Sequence, residues 1–197
     1  AKSVSVNGKT TTLDQDVTQA RHTITSPEGR IVTIDYDPAT LSITSVNPLG
    51  LLSAVYAYDI QGRPTTMSVG TRETTYTYDA DGFLETVTDP LENVTTYTHD
   101  PVGRITSVNR PDGSSIGFTY DANGNLIGLT PPGQPQHAFT YNAIDQVASY
   151  TPPDLGSGAT TSAYSYDFDH ALTQRLDPDG RTVVLDYDAA GRVDQVT

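Results

Sequence analysis

The sequence contains no cysteine and no tryptophan, and it has a single methionine. Without cysteine the chain can form neither a disulfide nor a zinc site built on thiolates. Basic residues are also scarce, with 11 Lys and Arg against 24 Asp and Glu, so the formal net charge is −13. A charge of this sign argues against nucleic acid and anionic membrane surfaces as partners.

Long apolar segments are missing as well. No stretch approaches the roughly 18 apolar residues that a membrane-spanning helix requires, and residues 1–6 lack the apolar run of a signal peptide. We therefore expect no membrane insertion. The hydrophobic residues include 12 Tyr but only 4 Phe, which favours a thin sheet edged by tyrosines over a thick aliphatic core.

An aromatic residue followed by Asp or Asn recurs along the chain at steps of 20 to 25 residues, most often 21. The eight pairs are Tyr36-Asp37, Tyr58-Asp59, Tyr78-Asp79, His99-Asp100, Tyr120-Asp121, Tyr141-Asn142, Tyr166-Asp167 and Tyr187-Asp188. In five of them Gly stands three residues after Asp, at Gly62, Gly82, Gly103, Gly124 and Gly191. Asp at the first turn position caps the backbone, and Gly at the fourth takes the left-handed conformation that closes a hairpin. At Thr40, Asp145 and His170 the turn Gly is absent.

A second turn follows twelve residues after each aromatic position in the first seven modules. Proline marks it at Pro48, Pro90, Pro111, Pro132, Pro153 and Pro178, and Gly70 takes its place once. The only long insertion falls at residues 154–161, whose Gly-rich composition predicts a lengthened hairpin loop.

The segments before each Tyr alternate large and small residues, which is typical of a half-buried β-strand. After the turn, apolar residues stand three apart, as in Leu84 and Val87, Ile105 and Val108, and Leu126 and Leu129. This spacing predicts a β-bulge. Two strands per module give about sixteen strands in all. The predicted fold is all-β, a repetitive antiparallel β-hairpin meander curling into a spiral ribbon or partial hollow shell, because wide sheets twist.

The repeat pattern predicts one continuous domain over residues 27–197, with about eight modules of roughly 21 residues. Residues 1–26 fit the pattern loosely. Val4 and Val6 precede the hairpin pair Asn7-Gly8, and we interpret the segment as one or two degenerate repeats.

No group of residues meets the requirements for catalysis, so we predict no enzyme activity and no cofactor. Turn capping is the preferred role of the repeated Asp residues, although Asp79-Ala80-Asp81-Gly82 and Asp177-Pro178-Asp179-Gly180 leave calcium as an alternative. The tyrosines could stack on sugars, but packing between strands explains their alternation better. His22, His99, His137 and His170 lack metal-ligand spacing, and no metal site is predicted.

With their 21-residue spacing, the motifs Tyr58-Asp59-Ile60-Gln61-Gly62-Arg63, His99-Asp100-Pro101-Val102-Gly103-Arg104 and Tyr187-Asp188-Ala189-Ala190-Gly191-Arg192 resemble an Rhs/YD-repeat array. The resemblance covers residues 27–197 and implies a spiralling sheet that closes into a shell. Such shells enclose a toxic polypeptide in bacterial Rhs and Tc-type toxins, and animal teneurins use one in cell-surface adhesion. The self-cleaving core segment of the family has no counterpart in the sequence.

The resemblance implies a structural scaffold that encloses or presents a toxin or another polypeptide. Its partners would be that polypeptide or further YD repeats of a larger secreted or cell-surface protein. The alternative is an extracellular binding or adhesion module for glycans or a partner protein.

Overall fold

A computed structural model describes residues 2–156 and 160–197. The chain divides into two compact units, Ala1–Thr96 and Tyr97–Thr197. The described residues form nineteen β-strands and no helix, so nothing in them could cross a bilayer as a helix. Unit 1 contains β1 (Lys2–Val6), β2 (Lys9–Asp16), β3 (Arg21–Thr25), β4 (Ile31–Tyr36), β5 (Ile43–Pro48), β6 (Ala54–Tyr58), β7 (Pro64–Val69), β8 (Arg72–Tyr78), β9 (Leu84–Thr88) and the start of β10 (Val94–His99).

The strands of unit 2 have the same short lengths. After the end of β10 they are β11 (Ile105–Asn109), β12 (Ser115–Tyr120), β13 (Leu126–Thr130), β14 (His137–Tyr141), β15 (Val147–Thr151), β16 (Ser162–Tyr166), β17 (Leu172–Leu176), β18 (Thr182–Tyr187) and β19 (Val193–Val196). Each strand from β1 to β9, and each from β11 to β18, pairs antiparallel with the strand that follows it.

The prediction of an all-β antiparallel hairpin meander is therefore confirmed. The sixteen strands from β4 to β19 match the number expected for eight modules, and residues 2–25 add three more strands. Asn7 and Gly8 both have positive φ, 52° and 75°, between β1 and β2, so the predicted hairpin turn forms there. The predicted long loop at 154–161 includes residues 157–159, which lie outside the described residues.

A β-bulge interrupts every described hairpin whose first strand ends in a Tyr of the repeat. In the β12–β13 hairpin, Tyr120 lies opposite Leu126 while Thr119 lies opposite Gly128, which leaves Ile127 as the extra residue. Equivalent shifts place one extra residue at Thr44, Thr65, Glu85, Ala148, Thr173 and Asp194. The extra residue explains the spacing of three between Leu126 and Leu129, which confirms the bulge predicted there.

The two faces of the sheet differ in chemistry. On one face, large side chains pair across strands, as in Tyr76 with Val87 and Phe118 with Leu129. On the other face, hydroxyl groups meet across strands, with Thr77 and Thr86 Oγ1 atoms 2.7 Å apart. Thr98 with Thr106, and Thr140 with Ser149, repeat this contact at 3.1 and 2.6 Å.

The sheet has almost no enclosed interior. Only Ala20 and Gly128 are buried among the described residues, and most large side chains of the aromatic face are half-buried. The expectation of a thin, Tyr-edged sheet is therefore correct. Its stability comes from contacts between neighbouring strands, because within a unit no second layer of described residues covers either face.

The second turn of each module also forms as predicted in most cases. Gly113 has φ 82°, and its N–H donates to the carbonyl of Arg110 at 3.0 Å, with Pro111 at the second turn position. Asp89 caps the turn at Pro90 by accepting from the N–H groups of Leu91 and Asn93. Pro48 differs, since it ends β5 and its own carbonyl accepts from Leu51 N–H at 3.1 Å.

Three of the eight turns that follow the repeated aromatic positions close without glycine. Asp145 and His170 take the left-handed conformation at the positions where the turn Gly is absent, with φ 61° and 67°. In the first module the sequence pointed to Thr40, but Leu41 is the left-handed residue, with φ 61°. The left-handed residue is Leu41 rather than Thr40 because this turn is one residue longer. Leu41 N–H donates to the carbonyl of Asp37 at 2.8 Å.

Replacing His170 with Gly is expected to raise the free energy of unfolding by about 0.5 to 1 kcal/mol. A left-handed non-Gly residue costs about 1–2 kcal/mol, and the added flexibility of the unfolded chain offsets part of this gain. Urea denaturation measures the change. Asp169→Gly, one residue earlier, has no positive φ to relieve and should be slightly destabilising. A destabilised His170→Gly protein would contradict the expectation.

Candidate functional site

The repeated feature of this chain is a row of capped turns, one after each of the eight repeated aromatic positions. In the turn that starts at Asp121, the carboxylate Oδ1 accepts from the N–H groups of Asn123 and Asn125, at 3.0 and 2.9 Å. Gly124 has φ 98°, and its N–H donates to the carbonyl of Asp121. The side-chain oxygen caps the turn in the same way at Asp37, Asp59, Asp79, Asp100, Asn142, Asp167 and Asp188. All eight positions are therefore turn caps.

In five of the eight turns, a second contact fixes the capping side chain. The residue four positions after Asp bonds its Oδ2 atom: Arg63 Nε lies 2.7 Å from Asp59, and Arg104 Nε lies 2.6 Å from Asp100. Arg192 and Asn125 make the corresponding contact in their own turns, and in the turn of Asn142 the amide Nδ2 donates to Gln146 Oε1 instead. The sequence signal for three of these contacts is the recurring Gly-Arg pair at Arg63, Arg104 and Arg192, to which no role was assigned from the sequence.

Two of these side chains, those of Arg63 and Arg104, also contact the hairpin that follows. The guanidinium of Arg63 lies over the ring of Tyr78, 4.2 Å from its centroid, and Arg104 lies over Tyr120 at 4.6 Å. Arg104 Nη1 also donates to the carbonyl of Asp121 at 3.2 Å. These cation–π contacts link consecutive hairpins at the turn edge of the sheet.

The tyrosines link hairpins in the opposite direction along the chain. Each hydroxyl donates to a backbone carbonyl of the preceding hairpin, as Tyr120 does to Ile105 at 3.0 Å. The other five bonds run from Tyr58 to Ile43, Tyr78 to Pro64, Tyr141 to Leu126, Tyr166 to Val147 and Tyr187 to Leu172, at 2.8 to 3.0 Å. These six tyrosines therefore pack within the sheet, and their hydroxyl groups hydrogen-bond to the backbone of the neighbouring hairpin.

Two positions of the aromatic series depart from this scheme. The ring of Tyr36 packs against His22, with centroids 5.0 Å apart. His99 occupies the repeat position at the end of β10. The Asp that follows it, Asp100, still caps its turn by accepting from Val102 and Arg104 N–H groups at 3.0 Å.

Replacing Tyr78 with Phe should lower the free energy of unfolding by about 1 kcal/mol, because the carbonyl of Pro64 loses its hydroxyl donor. Tyr76→Phe is the matched control, since Tyr76 lies in the same strand and its hydroxyl makes no hydrogen bond within the described part of the chain. Urea denaturation of both variants measures the difference. Equal losses in the two variants would show that the hydroxyl contact does not stabilise the sheet.

A further polar cluster lies on the hydroxyl face of unit 1, and the sequence did not suggest it. Asp35 accepts from Arg21 through both guanidinium contacts, from Ser45 Oγ at 2.9 Å and from Asn47 Nδ2 at 3.0 Å. The hydrogen bond from Arg21 holds the pKa of Asp35 below its ordinary value, against the desolvation that would raise it. The cluster ties β3, β4 and β5 together.

Three of the turn carboxylates are also stabilised in their ionised form. At Asp188, the backbone and side-chain bonds from Arg192 lower the pKa. At Asp59 and Asp100, desolvation raises the pKa, but the hydrogen bonds that each carboxylate accepts outweigh it and the net shift is downward. These three turns therefore favour ionised Asp.

Acid should weaken the fold through these groups. Because their folded pKa values lie below the ordinary value of 3.8, the stabilisation is complete above that value and is lost as pH falls through the folded pKa values. The urea midpoint should therefore drop on going below about pH 4. Asp188→Asn should reduce this drop. Asp81→Asn should not, because its carboxylate accepts no hydrogen bond within the described residues. An unchanged midpoint between pH 7 and pH 3 would contradict the prediction.

The alternative sites found in the sequence do not assemble into metal centres. No group of three or more His, Asp or Glu side chains in the described residues is placed to hold a metal ion. Asp79 caps its own turn, and Asp177 is bound by Arg175 at 2.7 Å and Arg181 at 3.0 Å. His137 shares a hydrogen bond with the hydroxyl of Tyr150. The first carboxylate of each calcium candidate, Asp79 and Asp177, is therefore engaged in a turn or in ion pairs.

Solved structures with a similar fold include a Tc holotoxin pore and TcdB2-TccC3. The chain is similar to a Tc holotoxin pore of Photorhabdus luminescens, with 17% identity, a TM-score of 0.58, and coverage of 85% of this chain and 12% of that one. It is also similar to TcdB2-TccC3 without the hypervariable C-terminal region, with 20% identity, a TM-score of 0.59, and coverage of 85% and 10%. TcdB2-TccC3 gives 18% identity, a TM-score of 0.56, and coverage of 85% and 12%.

The chain thus spans about a tenth of the length of these proteins. No protein with a curated description matches it. The family model of the Teneurin YD-shell matches residues 1–197, which include the N-terminal segment that fits the repeat pattern loosely. With its capped Tyr-Asp turns and its match over the full length, the chain belongs to the Teneurin YD-shell family.

Proposed function

We propose that this chain is a section of a shell wall that encloses or presents another polypeptide, such as a toxin. The mechanism is steric. A curved sheet of hairpins isolates its cargo from solvent and proteases, and the capped turns fix the geometry of the wall. No catalytic step, cofactor or metal takes part.

The observation that carries the proposal is the single-layer sheet with two chemically different faces. One face bears half-buried aromatic and aliphatic side chains, and the other bears rows of Ser and Thr hydroxyl groups. A sheet that buries almost no residue completely is suited to separate two spaces rather than to surround a core of its own. The repeated polar residues of the turns either cap their own turn or link neighbouring hairpins, which also favours a structural role.

Family membership supports the same role. The similar Tc structures contain TccC3, and in one of them its hypervariable C-terminal region is absent. By analogy, we propose that this chain acts within a larger protein that is secreted or displayed on a cell surface. We further propose that its partners are other YD repeats and an enclosed polypeptide.

Sequencing the parent gene and mapping its product by limited proteolysis test this proposal. The full product should contain a polypeptide that resists protease while the wall is intact. Asp121→Ala removes a turn cap and should make that polypeptide cleavable, whereas Asp81→Ala should leave it protected. If the enclosed segment is cleaved equally in all three proteins, the chain does not act as a protective wall.

A second candidate function is adhesion, which an aromatic-lined groove in unit 2 favours. The groove has a volume of about 540 Å³ and is lined by His137, Phe139, Tyr150, Tyr164 and Tyr166, among others. Aromatic rings in such a groove can stack on sugar rings or on apolar side chains of a partner protein. A glycan array with the wild type and Tyr164→Ser tests this function, and the adhesion candidate requires binding that the substitution abolishes.

A further inference from the structure

A groove on the aromatic face of unit 1 lies between two turns at the same edge of the sheet. Its volume is about 510 Å³. Val17 lines it from the turn between β2 and β3, Leu41 from the turn between β4 and β5, and Ile34 and Ile43 from strands β4 and β5. Because β1 pairs with β2 and β6 pairs with β5, paired strands continue on both sides, and neither end of the chain forms the groove.

Tyr36 also lines the groove, and it is the one Tyr of the repeat whose hydroxyl makes no hydrogen bond within the described residues. In the six hairpins that have this bond, pairing with the preceding strand stops three residues before the Tyr, which leaves a carbonyl open to the hydroxyl. Strand β4 instead pairs with β3 up to Asp35, opposite Arg21, and the N–H of Tyr36 donates to the carbonyl of Ala20 at 3.0 Å. Backbone pairing thus replaces the hydroxyl contact, and the Tyr36 hydroxyl remains available.

Two more polar groups line the groove without a hydrogen bond in the part of the chain that the structure describes. They are the amide of Gln15 and the imidazole of His22, which lie opposite each other in the β2–β3 pairing. The ring of Tyr36 packs against that of His22, so the three groups are neighbours. Each of them can both donate and accept. An apolar groove with a few polar groups is typical of a site that orients a small ligand.

The charges around the groove disfavour an anionic ligand. No Lys, Arg, Asp or Glu of residues 2–156 and 160–197 lines it. The two turns beside it begin at Asp16 and Asp37, whose carboxylates accept from Thr18 N–H at 3.0 Å and from Ala39 N–H at 2.7 Å. With a net charge of −13, the chain repels carboxylates and phosphates from this edge.

The size of the groove favours a ligand of two fused rings. Sites for small molecules have volumes of roughly 300–1,000 Å³, and a single aromatic side chain would fill only part of 510 Å³. The rings of His22 and Tyr36 offer contacts to another aromatic ring. Val17 and Leu41 are 78% and 72% exposed, and a ligand of this size would cover both.

We propose that this groove binds a small, uncharged molecule of two fused aromatic rings that carries a hydrogen-bonding group. The rings lie between Val17 and Leu41, and the polar group bonds to the hydroxyl of Tyr36. The site uses none of the turn and Tyr contacts that hold neighbouring hairpins together, so the inference goes beyond the scaffold role.

The probe is indole, added to the whole chain and followed by NMR. It should shift the signals of Val17, His22 and Leu41, with a submillimolar dissociation constant. 1-Methylindole lacks the N–H donor and should bind about fivefold more weakly, because one hydrogen bond is lost. Indole-3-carboxylate should also bind more weakly than indole, because it is an anion. In Tyr36→Phe, the affinity for indole should fall to that for 1-methylindole.

Leu41→Gly is the decisive protein variant. Gly takes φ 61° at this position without strain, so the fold should persist while indole binds at least about fivefold more weakly. Ile60→Gly is the matched control, because Ile60 is 98% exposed in the turn of the next hairpin and does not line the groove. Its affinity for indole should equal that of the wild type.

N-acetyltryptophanamide carries the same ring on a peptide backbone, and it distinguishes a free ligand from a side chain. Tighter binding of this compound than of indole would assign the groove to another polypeptide and overturn the proposal. Equal affinity of the wild type and Leu41→Gly, or no binding at millimolar indole, would also overturn it. None of these results bears on whether the chain protects an enclosed polypeptide, which the proteolysis experiment measures separately.

Discussion

Replacing Asp35 with Ala should lower the free energy of unfolding by about 2 to 3 kcal/mol. The carboxylate accepts from Arg21, Ser45 and Asn47, and its removal leaves three donors without their acceptor. The magnitude is below that of a deeply buried ion pair, because the side chains of Asp35 and Arg21 are 24% and 41% exposed. Urea denaturation at pH 7 measures the loss.

Asp186 provides the matched control. It occupies the same position of its module, one residue before the repeat Tyr, yet its carboxylate makes no hydrogen bond or ion pair within residues 2–156 and 160–197. Asp186→Ala should therefore change stability little. A double-mutant cycle between Asp35→Ala and Arg21→Ala should also show coupling. If Asp35→Ala and Asp186→Ala cost the same, the cluster contributes nothing specific.

Replacing Gly82 with Val is expected to cost about 3 kcal/mol, against about 2 kcal/mol for Gly62→Val. Both glycines are left-handed, with φ 93° and 80°, so a β-branched residue is strained at either. At Gly82, an added Cβ would also lie 3.1 Å from Arg63 Nη1, whereas at Gly62 no atom lies within 4 Å. The extra loss arises because the guanidinium of Arg63 must shift from its position between Asp59 and Tyr78, which weakens both contacts.

The arginine contribution can be isolated by repeating the comparison with Arg63 replaced by Ala. In that background, Gly82→Val and Gly62→Val should become equally costly, as measured by urea denaturation. A difference that persists without Arg63 would show that the two turns differ for another reason. A smaller loss at Gly82 than at Gly62 in the wild type would contradict the prediction directly.

The local fold was predictable because the turns and the strand spacing depend on residues that are close together in the sequence. Asp121 with Gly124 predicted the capped turn, and the spacing of Leu126 and Leu129 predicted the bulge that places Ile127 as an extra residue. The pattern also predicted sixteen strands beyond residue 26. These features depend on contacts within a few residues of one another.

The contacts between modules were not predictable in the same way. Nothing in the sequence identifies the carbonyl of Ile105 as the acceptor for Tyr120, because every residue carries a carbonyl and only the register selects one. The network around Asp35 was missed for a related reason, since its donors lie 10 to 14 residues away in two other strands. Leu41 was missed because an inserted residue shifts the left-handed position by one.

The direction of the Tyr hydroxyl bonds has a consequence for how the chain assembles. Every described acceptor lies N-terminal to its donor, within 14 to 19 residues. A hairpin that leaves the ribosome thus finds its anchoring carbonyl in chain that has already emerged. We expect such contacts of short sequence separation to form quickly, and the sheet to grow hairpin by hairpin during synthesis. We therefore expect the hairpins to join the sheet in the order in which they are translated.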